Sequence, residues 1–90
     1  MTTVKILLLT SENCHFCEMA STMLRRLSGE FPLDVSTLSL ASPTGRQLAE
    51  RNGILFAPGL FVDGQPFSYG RPSERRLRRA LVMLSGKEPP

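Results

Sequence analysis

The two cysteines of this chain stand three positions apart, in Cys14-His15-Phe16-Cys17, and their flanks restrict what can form around them. Thiols at this spacing close a disulfide across one helical turn. An apolar run, Val4 to Leu9, precedes the pair and a helical pattern follows it, so the pair falls at a strand-to-helix junction. The first sulfur then sits where unpaired backbone N–H groups and the helix dipole favour negative charge. Such a site lowers a thiol pKa and supplies a thiolate near neutral pH. The pair points to thiol–disulfide exchange.

The expected organisation is a single domain, 1–90, with a modest core. Apolar residues make up 41% and charged residues 21%, a globular balance rather than a disordered one. Two cysteines cannot build the framework of a small secreted disulfide domain. After Val4-Lys5 only Ile6-Leu7-Leu8-Leu9 follows before polar residues return, too short for a signal core or a membrane span. The expectation is a soluble, cytoplasmic, monomeric chain with no membrane partner. There a close cysteine pair is catalytic or metal-binding more often than structural. The formal charge of +3 is local: Arg71, Arg75, Arg76, Arg78 and Arg79 crowd the C-terminal region.

Val4 to Leu9 reads as a strand buried on both faces. From Cys14, Phe16, Ala20, Met23, Leu24 and Leu27 share a helical face, with Gly29 as C-cap. Leu33 to Leu40 alternates like a half-buried strand. Ser42-Pro43 reads as an N-cap followed by a first-turn proline, Leu48 and Ala49 give a small apolar face, and Asn52-Gly53 ends the helix. Gly59 to Val62 is strand-like, Asp63-Gly64 is a hairpin turn, and Gln65 to Tyr69 returns. A last helix starts near Pro72-Ser73, with Leu77, Ala80, Leu81 and Leu84 on one face and Gly86 as C-cap; Lys87 to Pro90 reads as a frayed tail. The class is α/β, in the order β-α-β-α-β-β-α. The economical arrangement is a four-stranded mixed sheet flanked by helices on both faces.

That order, with C-x-x-C at the first strand-to-helix junction and Phe56-Ala57-Pro58 before the third strand, resembles the thioredoxin fold and is similar to glutaredoxins and small thioredoxins. The resemblance implies that Pro58 is a cis-proline beside the cysteines and that Ala57 offers backbone hydrogen bonds to substrate. The chain departs from both families. It has no Trp before the first cysteine and no buried acid in the first strand. Ser11 stands where glutaredoxins carry a lysine, and Gly70 is followed by Arg71-Pro72-Ser73 rather than by glycine and acidic residues. The resemblance makes Ser11 and Gly70 substrate-contact positions, while their departures weaken the case for glutathione. No bound cofactor is expected, with glutathione or a reductase as electron donor.

In this reading Cys14 is the attacking thiolate and Cys17 resolves the mixed disulfide. His15 either stabilises the thiolate as imidazolium or is an exposed first-turn residue. Phe16 is a core anchor or, as the resemblance favours, a substrate contact; Met23 and Tyr69 read as packing. Zinc lacks a second Cys/His pair to complete its four ligands. The arginines of the last helix read as a solvated face, with an acidic protein partner as the sharper alternative and nucleic acid disfavoured. Val82 and Met83 fall near that exposed side. The rivals are a non-catalytic binding module of the same fold and an iron–sulfur carrier using Cys14 from two chains.

Overall fold

The computed structural model describes residues 3–85. It contains β1 (Val4–Thr10), α1 (His15–Ser28), β2 (Leu33–Ser39), α2 (Pro43–Arg51), β3 (Gly59–Val62), β4 (Gln65–Tyr69) and α3 (Glu74–Ser85). The four strands form one sheet in the order β2-β1-β3-β4, with β1 parallel to β2 and the other neighbours antiparallel. Gly86 and the segment 87–90, read above as a C-cap and a tail, lie outside the described residues.

The period of two along β1 divides the core. Val4, Ile6 and Leu8 point to one side, where they meet Leu60 and Val62 of β3, Ala20, Met23, Leu24 and Leu27 of α1, and Leu77 and Leu81 of α3. Leu9 and the half-buried Leu7 point to the other, against Phe61, Ala49 of α2 and Ile54. Helices therefore cover both faces.

Local signals explain most boundaries. Ser42 caps α2, its Oγ accepting the Gly45 N–H at 3.0 Å with Pro43 in the first turn. Asp63 and Gly64 both have positive φ, 49° and 82°, the geometry of a tight hairpin turn. Ser73 Oγ accepts the Arg76 N–H at the start of α3.

Several expectations need correction. Strand β1 is not buried on both faces throughout: Lys5 is exposed, its N–H bonded to the Asp63 carboxylate at 2.9 Å. Phe16 shares the helical spacing of the core but is exposed, in line with the surface position favoured for it, and Cys17 holds the buried place on α1. Residues 34–37 of β2 are all exposed because β2 is a sheet edge with one neighbouring strand. Leu84 is exposed, while Val82, placed above near the exposed side, packs against the larger core. Arg78 is not simply solvated: it bonds both Glu30 oxygens, at 2.5 and 2.9 Å, and Glu74 at 3.2 Å. Arg76 lies over the Phe67 ring, 5.3 Å from its centroid.

Candidate active site

Strand β1 ends at Thr10, and the exposed segment Ser11 to Asn13 carries the chain into α1. Asn13 has φ +52°, a left-handed conformation that asparagine tolerates better than most residues. Cys14 follows as the N-cap, in extended geometry, and its Sγ accepts the Cys17 N–H at 3.1 Å. The two cysteines form a disulfide with Cα atoms 5.1 Å apart. They are not equivalent. Cys14 is half-buried at the head of the helix, whereas Cys17 is 5% exposed within the first turn. A negative charge developing on Cys14 meets an N–H donor and the positive end of the helix dipole.

Strand register brings two further loops to this end of the sheet. Leu9 pairs with Gly59, and Gly59 pairs with Tyr69. The end of β1, the start of β3 and the end of β4 therefore lie side by side. The peptide bond Ala57–Pro58 is cis, the isomer the resemblance implies. Pro58 is buried, and its carbonyl accepts the Gly70 N–H at 2.8 Å. Ala57 is half-buried, and among the described residues its backbone N–H and C=O make no hydrogen bond.

An apolar rim surrounds these loops. Leu55 is 75% and Phe56 53% exposed, with Tyr69 and Phe16 also at the surface. Phe56 and Tyr69 pack edge to face, ring centroids 5.1 Å apart at 87°. Tyr69, read above as packing, is thus a partly exposed member of an aromatic pair. Gly70 has φ +83°, and a Cβ there would lie 3.0 Å from the Phe56 ring. Leu55 and a contact role for Phe56 are not marked by the sequence, because these residues belong to no helical or strand period. Their signal is two large apolar residues set in a loop directly before Ala57-Pro58.

His15 is exposed in the first turn of α1, its ring 6.1 Å from that of Phe16. Ser11 is exposed in the loop before Cys14. Loop and strand positions thus gather Cys14, Cys17, Ala57, Pro58 and Gly70 at one end of the sheet, with Ser11, His15 and Phe16 at its surface. Among the described residues no three His, Cys, Asp or Glu side chains come together as a metal site.

No protein-family model and no curated protein matches the chain by sequence. Solved structures do match in shape. A thioredoxin mutant from Halobacterium salinarum NRC-1 is similar with a TM-score of 0.70 at 20% identity, covering 96% of this chain and 78% of its own. Thioredoxin O2 from Arabidopsis thaliana in its oxidised state gives 0.69 at 16% identity, covering 91% and 75%. A malarial protein gives 0.65 at 19% identity, covering 93% and 98%. The strand order, the cysteine pair at the head of α1 and these likenesses lead to one statement of kind: the chain has the thioredoxin fold.

Proposed function

We propose that this protein is a thiol–disulfide oxidoreductase acting on protein disulfides. The supporting observation is the asymmetry of the pair: a half-buried Cys14 at a helix N-terminus, bonded to a buried Cys17. In the reduced enzyme the Cys14 thiolate attacks one sulfur of a substrate disulfide. A Cys14–substrate bond forms, the substrate S–S bond breaks, and the departing thiolate takes a proton from solvent. Cys17, once deprotonated, attacks Cys14 Sγ and releases the second substrate thiol. The substrate gains two electrons and the enzyme is left as the Cys14–Cys17 disulfide, ready for reduction by a donor dithiol or by two glutathiones. The same steps run backward oxidise a dithiol.

The surroundings support a polypeptide rather than a small disulfide as substrate. Ala57 has an unpaired N–H and C=O for an extended backbone, and Leu55, Phe56, Phe16 and Tyr69 offer apolar contact to residues flanking the substrate cysteine. Ser11 and Gly70 add only a hydroxyl and backbone, with no fixed charge for the carboxylates of glutathione.

The test is reduction of insulin and of a glutathione mixed disulfide, each driven in parallel by glutathione with its reductase and by a thioredoxin reductase. Cys14→Ser is expected to abolish turnover, and Cys17→Ser to accumulate a covalent Cys14–substrate adduct visible by mass spectrometry. Full activity in Cys14→Ser would sink the proposal.

A further inference from the structure

We propose that the free edge of β2 pairs with the same edge of a second copy, joining two sheets across a two-fold axis at Val35. This inference stands apart from the redox reading and replaces the monomer expected from sequence.

Two hydrogen bonds fix which backbone groups of β2 face outward. The Val4 N–H donates to the Pro32 carbonyl at one end of the β1–β2 pair, and the Leu40 N–H donates to the Thr10 carbonyl at the other. In a parallel pair, alternate residues of a strand bond to the neighbour. The even-numbered residues of β2 therefore face β1, and Leu33, Val35, Thr37 and Ser39 turn their N–H and C=O groups away from the sheet. The Ser39 carbonyl is already used, accepting from the Ser42 N–H and Ser42 Oγ at 3.1 and 2.7 Å. The fully open edge is thus Leu33, Val35 and Thr37, and its midpoint is Val35.

An edge of three open residues centred on one of them is self-complementary. Laid antiparallel on a second copy with Val35 on the axis, Leu33 opposes Thr37, Val35 opposes Val35, and Thr37 opposes Leu33. Every outward N–H from Leu33 to Thr37 then meets an outward C=O, six hydrogen bonds in all. The side chains agree. Val35 and Thr37 point to the α1 side, where with Leu8, Leu24, Arg25 and Ser28 they line a groove of about 250 Å³. Val35 is 38% exposed at its mouth, and pairing sets one Val35 against the other over the two joined grooves.

Edge chemistry favours a second copy. The one charge on β2, Asp34, lies on the opposite face in register with Lys5 of β1, and on the Val35 side the exposed Arg25 of α1 is the one charge that lines the groove. The other edge strand, β4, carries Pro66, which has no N–H, and a register irregularity beside it. Both are devices that block edge pairing. Strand β2 has no lysine, proline or bulge. Seven residues span about 23 Å, so the contact falls short of the roughly 800 Å² per partner of a standard stable interface. The dimer is therefore weak and dissociable.

Sedimentation equilibrium of the full chain from low micromolar to near-millimolar concentration tests this. The weight-average mass is expected to rise from 10.0 kDa towards twice that value. Val35→Lys, which sets two ammonium groups against each other, and Thr37→Pro, which removes an outward N–H, are each expected to hold it at the monomer value with an unchanged melting temperature. As concentration rises, amide exchange should slow at Leu33, Val35 and Thr37 and not at Asp34 or Ser36. A monomer at the highest concentration overturns the proposal. So does association that persists in both variants, or protection that appears on another element.

Discussion

The Gly70 N–H donates to the Pro58 carbonyl at 2.8 Å, which locks the loop before α3 onto the cis-proline loop. The bond continues the β3–β4 ladder by one step beyond the Gly59–Tyr69 pair. It also places a residue without a side chain against the Phe56 ring. The apolar rim beside the cysteines is therefore built from two loops held as one piece, and its shape depends on Gly70.

Gly70→Ala tests that dependence. A φ of +83° disfavours any Cβ by about 1–2 kcal/mol, and here the Cβ would also crowd the Phe56 ring at 3.0 Å. Urea denaturation should show a loss of about that size. Insulin reduction should fall further than the stability loss explains, because Phe56 must move. Activity equal to the parent would detach this contact from the site.

Reduced Cys14 should titrate below the ~8.5 of a free cysteine, because the Cys17 N–H and the head of α1 favour its thiolate. Ultraviolet thiolate absorbance against pH measures this directly. We expect His15→Ala to raise the Cys14 pKa modestly, since His15 follows Cys14 in the same turn. An unchanged titration would assign His15 to the exposed surface alone. Phe16→Ala should leave the titration in place and lower turnover of protein disulfides.

Gly45 carries a prediction that runs against helix propensity. In the interior of a helix Ala normally gains about 0.8–1 kcal/mol over Gly. At position 45 the added Cβ would collide with the backbone carbonyl of Ser39, the oxygen that also accepts from Ser42. Neither that oxygen nor the capped turn can step aside cheaply, so Gly45→Ala should destabilise by about 1–3 kcal/mol as an overpacked site does. A rise in the urea midpoint would show that α2 can lift off the sheet.

What the sequence made readable was whatever rests on local chemistry. Asp63-Gly64, Ser42-Pro43 and the cysteine spacing each work within one turn of chain, and the turn, the cap and the disulfide stand where they were expected. Placement in the sheet is a property of the whole molecule, and no local pattern carries it. Nothing between Leu33 and Leu40 says that β2 has one neighbour instead of two, so its exposed centre is not legible there. Phe16 and Leu84 keep helical spacing with buried residues, but the cores end before reaching them. The apolar loop pair Leu55-Phe56 and the close approach at Gly45 appear only once distant strands are brought together.

Glu74 links acid stability to the packing of α1 on α3. Its carboxylate bonds Arg26 of α1 and Arg78 of α3, and Arg78 in turn bonds Glu30 just after α1. Hydrogen bonds from Arg26 and then Arg78 hold the Glu74 carboxyl below its ordinary 4.5. A carboxyl whose folded pKa is depressed adds stability that is present above the unfolded value and lost as pH falls through the folded one. The contribution is therefore complete at neutral pH and fades on acidification below 4.5. The group is partly exposed, so Glu74→Gln should cost only a few tenths to about 1 kcal/mol at pH 7. The gap in melting temperature between parent and variant should close as pH drops below that value, and should narrow at high salt. A gap that stays constant with pH would mean that Glu74 acts through packing and not through its charge.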